Sequence, residues 1–156
     1  MIWSISSVLL GVLALLLVSV GIEDARRREI ANWKNVAIAC LAPAWWWTAG
    51  VPPWPDVAIQ IGLAAAVLLA FAVMFRFGWM GGGDVKLIAA LALWLPAGPL
   101  AWMLIVMSMA GGVLTVIMML DHAVARRKTP VEVPYGVAIA IAALVTIREP
   151  ILNQFP

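Results

Sequence analysis

The stretch IWSISSVLLGVLALLLVSVGI, residues 2–22, holds no charged side chain. At about 1.5 Å of rise per residue it is long enough to cross a hydrocarbon core of about 30 Å. Five more apolar runs follow, at about 36–51, 57–75, 87–97, 99–120 and 133–147. The whole chain shares this character: 65 % of its residues are hydrophobic, 12 % are charged, and the mean hydropathy is +1.03. Soluble domains do not have that composition. The expectation is an all-α, polytopic transmembrane helical bundle of about six spans, forming a single domain over residues 1–156. Any chemistry must then use the spans and their short connections.

The basic residues orient this bundle. Arg26, Arg27, Arg28 and Lys34 fall between the first and second runs, Arg76 and Lys86 between the third and fourth, and Arg126, Arg127 and Lys128 between the fifth and sixth. Only Arg148 falls on the other side. The positive-inside rule therefore makes the odd-numbered loops cytoplasmic and places both termini outside. No basic residue precedes the first run and no small-residue cleavage site follows it, so this run reads as a retained span. Trp45, Trp46, Trp47 and Trp54 beside the second loop, with Trp94 and Trp102 beside the fourth, read as an aromatic belt at the outer interface. Pro52-Pro53 and the Pro-Ala-Gly-Pro stretch at 96–99 mark turns. The basic cluster 126–128 suits anionic lipid headgroups. Cys40 has no partner for a disulfide and reads as apolar filler.

Two acidic residues stand where topology alone does not require them: Asp24, just past the first run, and Asp84, just before the fourth. Asp84 follows Gly81, Gly82 and Gly83 and precedes a resumed apolar helix, which places it near a helix N-terminus. It could simply cap that helix. Three glycines exceed what a cap needs, however, and suit close approach by an extended substrate backbone. Asp24, in GIEDARRREIANWKN, could simply offset the neighbouring arginines. Yet the inferred topology brings both aspartates to one membrane face. Two carboxylates that meet there are the minimum equipment for aspartyl proteolysis, one taking a proton from water and the other donating to the scissile carbonyl. No Ser, His and acid set competes with them. His122, beside Asp121, is the sole histidine, and no His/Cys cluster exists to hold a metal. No metal, cofactor or nucleic-acid partner is expected.

Three ordered motifs together resemble the type IV prepilin peptidases, bacterial membrane aspartyl proteases. DARRREIAN (Asp24 to Asn32) is similar to that family's aspartate loop, GGGDVKL (Gly81 to Leu87) to its glycine-x-glycine-aspartate motif with a following lysine, and VPYGVAIAIA (Val133 to Ala142) to the segment that opens its last span. The resemblance implies that Asp24 and Asp84 are the catalytic pair. Gly81 and Gly83 would permit the loop geometry, and Lys86 and Tyr135 would position substrate. It further implies a prepilin substrate with a short basic leader, cut next to a glycine at the cytoplasmic face of the bacterial inner membrane. Ala31 stands where the family usually has proline, which removes a backbone constraint near Asp24 but no chemical group. With one cysteine and no inserted Cys-x-x-Cys domain, the chain resembles the short members associated with Flp-type (tight-adherence) pili. Two other readings are kept. One is an intramembrane aspartyl protease of the presenilin and signal-peptide-peptidase kind. The other is a non-enzymatic proton-coupled carrier or pilus assembly subunit. The sequence leaves the oligomeric state and the identity of the base open.

Overall fold

The computed structural model describes residues 2–125 and 133–148, with side chains over 5–125 and 133–147. The basic cluster 126–128, Glu149 and the side chain of Arg148 lie outside the described residues. Six helices follow one another: α1 (Ile2–Arg27), α2 (Asn32–Ala49), α3 (Ala58–Arg76), α4 (Gly82–Ala92), α5 (Ala97–Val124) and α6 (Tyr135–Arg148). A short π-type turn, Pro53–Val57, leads into α3. No strand occurs among the described residues.

Each of the six apolar runs gives a helix, but they are unequal. Three segments are long and apolar enough to cross a membrane: Ile5–Arg27, Pro53–Arg76 and Ala97–Val124. These correspond to α1, α3 and α5, and they present Leu15, Leu69, Ile105 and Val116 outward. Exposed apolar area on that scale is stable only against lipid. The other three helices fall short for different reasons. The first turn of α2 carries Asn32, Lys34 and Asn35, α6 is a shorter apolar helix, and the 11 residues of α4 reach only about 16 Å. α4 is instead the buried element. It packs against α2, α3 and α6, and its Leu87, Ile88, Leu91 and Ala92 are fully enclosed. α6 joins the two halves by packing against α1 and α5 as well.

Two helix ends use glycine in the left-handed region that other residues avoid. Gly50 (φ 70°) follows α2 and Gly78 (φ 73°) follows α3. At each, paired bonds close a Schellman motif: Gly50 N–H to the Trp47 carbonyl with Val51 N–H to Trp46, and Gly78 N–H to Phe75 with Trp79 N–H to Met74. α1 ends on a different residue in the same left-handed region, with the single bond of the simpler αL motif. Arg28 takes φ 58° and donates its N–H to the Asp24 carbonyl at 2.9 Å. Asp24 therefore lies in the last turn of α1, inside the helix rather than beyond it as the hydropathy pattern implied.

Of the six tryptophans read as a belt, Trp46 is half-buried and the other five divide into two groups. Trp47, Trp54 and Trp102 are exposed, as a belt requires. Trp45 and Trp94 are instead fully buried and stack with ring centroids 5.8 Å apart, so they belong to the core. The indole N–H of Trp94 donates to the Ile38 carbonyl at 2.9 Å, and that of Trp46 donates to the Leu93 carbonyl at 2.9 Å. The amide of Gln60, itself buried, donates to the carbonyls of Ala92 and Leu95. The C-terminal end of α4 is thus closed by side-chain donors from α2 and α3.

Candidate active site

The opposite end of α4 is built differently. Helix α4 starts at Gly82 with Gly81 as its extended N-cap residue, and Asp84 occupies the third helical position. From there its carboxylate folds back toward the Gly81 N–H, half of the reciprocal arrangement called a capping box. Asp84 is therefore not the N-cap residue. A Cβ on Gly81 would stand 3.0 Å from Asp84 Oδ2, and one on Gly83 would stand 3.1 Å from Ile30 Cβ. The glycines let the carboxylate fold back and let the α1–α2 connection close over it.

Asp24 reaches the same place from α1. It is only 4 % exposed, and its Oδ2 accepts the Val137 N–H at 3.1 Å while the Gly136 N–H also faces the carboxylate. Gly136 and Val137 are in the first turn of α6, where backbone N–H groups have no partner within the helix. Asp24 thus caps α6 from another element. That arrangement requires glycine at 136, since a Cβ there would lie 2.8 Å from Asp24 Cγ and from Ile30 Cδ1.

Both carboxylates line one cavity of about 380 Å³, together with Arg28, Ile30, Gly81, Gly83 and Lys86. Burial is the main reason that the Asp84 carboxyl is pushed up to about 7, and the nearby Asp24 charge adds to it. The Gly81 N–H opposes the rise. With Asp24 in the same cavity, the two acids titrate as a pair.

The α1–α2 connection is fixed by an ion pair between a buried lysine and a half-buried glutamate. Lys34, 6 % exposed, meets Glu23 Oε2 at 2.8 Å and donates to Ser19 Oγ at 2.6 Å and to the Ser19 carbonyl at 3.1 Å. Glu23 Oε2 also accepts the Ala31 N–H at 3.4 Å. A buried ammonium ion is tolerated when it is paired and hydrogen-bonded in this way. Here it sets the path of residues 28–31 beside Asp24. Lys34, read from sequence only as a topology-setting charge, is structural as well.

The remaining residues singled out from sequence are dispersed around this centre. Lys86 donates to Asn32 Oδ1 at 2.8 Å and lines the cavity rim. Tyr135 is not among the cavity's lining residues; it packs on α5, where a Cβ on Gly111 would come within 2.8 Å of its ring. Its neighbours Gly136 and Val137 make the contacts to Asp24. Asn35 donates to the Gly83 carbonyl at 3.1 Å and so ties α2 to the glycine turn. Sequence reasoning passed over Gly136 and Asn35, although Gly136 stands in the quoted Pro-Tyr-Gly motif. No group of three or more His, Cys, Asp or Glu side chains able to hold a metal ion occurs among the described residues.

No curated protein and no solved structure matches the chain. A protein family does: residues 11–116, which include the α1–α2 connection and the glycine turn with Asp84, match the type IV leader peptidase family, and the chain belongs to it.

Proposed function

We propose that this protein is a membrane aspartyl endopeptidase that removes the short basic leader of Flp-type prepilins, cutting next to a glycine, with Asp24 and Asp84 as its catalytic pair. Membership in the leader peptidase family supplies the protease class and points to prepilin substrates. The observation that carries the rest is the meeting of two buried carboxylates in one cavity, with the Asp84 carboxyl pushed up to about 7 so that one acid keeps its proton. That is the ionisation an aspartyl protease needs.

In the proposed step, the ionised carboxylate removes a proton from water as its oxygen attacks the scissile carbonyl carbon. The protonated partner hydrogen-bonds the carbonyl oxygen and stabilises the charge that develops there. Collapse of the tetrahedral intermediate breaks the C–N bond and delivers a proton to the departing amine. The shared proton makes the pair, not either aspartate alone, the unit of catalysis. Gly81 and Gly83 give substrate backbone room beside the carboxylates, Lys86 positions substrate at the rim, and Tyr135 acts indirectly by seating the first turn of α6 on α5.

The site is read as opening at the cytoplasmic face, because Arg26, Arg27, Arg28, Arg76 and Lys86 all lie at its end of the bundle. A cut between a soluble basic leader and an apolar helix belongs at that surface. The same reading puts all six helices within the bacterial inner membrane, the shorter ones shielded by α1, α3 and α5, as one domain over 1–156 with its termini outside.

The test is cleavage of a synthetic prepilin-type substrate by purified protein. Wild type is compared with Asp24→Asn and Asp84→Asn, in detergent and with no ion gradient. Loss of cleavage in both variants with retained helicity is the expected result. Full activity in either variant would remove the aspartyl mechanism. A wild type that cleaves no pilin leader would favour a carrier or assembly role.

A further inference from the structure

Among the described residues, two buried side-chain polar atoms have no hydrogen-bond partner: Trp45 Nε1 and Asn35 Oδ1. Trp45 is part of the stacked core. Asn35 is different, because it lines a second cavity. This one, of about 530 Å³, runs between α2 and α3 with α4 as its floor. Its walls are mostly apolar, with Ala39 from α2, Ala65 from α3 and Ala89 from α4 between larger Val36, Ile61 and Leu68. Small residues of this kind let a further helix approach closely within a membrane. Lys86 and Asn32 line both this groove and the carboxylate cavity, so the two adjoin, with the Lys86–Asn32 hydrogen bond at their shared edge.

The orientation of Asn35 follows from its partner. The Gly83 carbonyl can only accept, so the amide nitrogen must face it, which leaves the oxygen as an acceptor without a donor. At 4 % exposure that oxygen has lost its water, and an unmet buried acceptor costs about 1–3 kcal/mol. A segment entering the groove would therefore be held best if it brought a free N–H to the mouth. The start of a helix does so, because its first four N–H groups have no internal partner.

We propose that the α2–α3 groove receives the apolar helix of the substrate that begins at the scissile bond, with Asn35 Oδ1 accepting an N–H from that helix's first turn. This rests on the peptidase reading above and adds where the mature part of the substrate binds. The groove extends about 10 Å along α4 from Lys86 to Leu93, enough for about two turns of the bound helix. Asn35 lies one turn of α2 beyond Asn32, the residue that lines both spaces, so a small turn of its side chain would bring the acceptor to a helix seated in the groove. Since Asn35 also holds the glycine turn, a substrate helix seated there would act on the turn that carries Asp84.

The test compares a long substrate, carrying leader and apolar helix, with a short peptide that ends a few residues beyond the scissile bond. Ala65 is exposed on the groove wall, so Ala65→Trp fills the groove without entering the core. The variant is expected to raise KM for the long substrate about tenfold or more, with kcat nearly unchanged, and to leave cleavage of the short peptide at the wild-type level. An unchanged KM for the long substrate would overturn the proposal. So would an equal loss on both substrates, the pattern of a general structural defect or of a groove that holds only lipid.

A second measurement does not depend on turnover. In a Cys40→Ser, Asp84→Asn background, Ala65→Cys is oxidised with copper phenanthroline against single cysteines placed along the substrate's apolar helix. Cross-links recurring every three to four residues are expected, and their absence or even spread would overturn the assignment. Failure of the underlying peptidase reading gives a separate signal, because then either wild type cleaves neither substrate or Asp84→Asn cleaves as wild type does, whatever stands at position 65.

Discussion

The two ends of α4 face opposite requirements and meet them with different residues. At its C-terminal end, the carbonyls of Ala92, Leu93 and Leu95 are all taken by donors from Gln60 and Trp46, over a stacked Trp45–Trp94 pair. At its N-terminal end, three glycines, a carboxylate that folds back on its own turn and a second carboxylate from α1 surround a cavity. The first arrangement takes up the carbonyls that a helix end leaves free, as a low-dielectric setting requires, although the Trp45 indole N–H beside it stays unpaired. The second keeps two acids close together and accepts the cost of raising the Asp84 pKa. The closed end holds α4 in register, and the open end uses that rigidity to fix the acids.

Predictions follow this contrast. The largest effects belong to the open end. Asp24→Asn and Asp84→Asn should each lower kcat by about 10²–10⁴-fold, the range of a lost general acid or base, read as product formed per unit time. Gly136→Ala comes next. Its methyl group must displace Asp24 or Ile30, and a shift of this size near reacting groups costs about 10²-fold in rate with little loss of helicity by circular dichroism. Normal activity in that variant would mean that the position of Asp24 does not matter.

The closed end should respond in stability rather than chemistry. Gln60→Leu leaves two buried carbonyls unmet, at about 1–3 kcal/mol each, and should lower the unfolding midpoint while the rate per folded molecule stays within about twofold. The smallest effect is expected at Arg28. Glycine would relieve its left-handed backbone, so Arg28→Gly should gain about 1 kcal/mol in denaturant unfolding.

The same contrast shows what a linear reading of the sequence can reach. Asp24 and Asp84 were legible because a charge beside an apolar run is costly, and because basic residues sort the loops to one face. The six helices were legible for the same hydropathic reason. That the fourth and sixth runs are short was legible too; that α4 is the enclosed helix was not, since its neighbours are distant in sequence and a run of buried helix looks like a run of lipid-facing helix. Trp45 and Trp94 illustrate the limit. Composition reads any interfacial tryptophan as a belt, and only packing distinguishes Trp45, against Trp94, from Trp47 beside it, which is exposed. Gly136 and Asn35 act through contacts with residues far away in the chain, respectively Asp24 and Gly83, so no local pattern announces their geometry.

Asp84 also links the site to stability. Its pKa is higher in the folded protein than the ordinary value of 3.8, so the folded state binds the extra proton. Stability from this group is complete below about pH 4 and is lost as pH rises through about 7. Asp84→Asn should flatten that slope, as read from unfolding midpoints across the same range.

The most direct test of a shared proton between Asp24 and Asp84 is the pH dependence of kcat/KM for the wild-type protein on a substrate that does not itself titrate. The account predicts an alkaline limb centred near pH 7, falling about tenfold per unit as the pair loses its last proton. A profile that stays flat through about pH 9 would show that no carboxylic acid proton is used, and would contradict it.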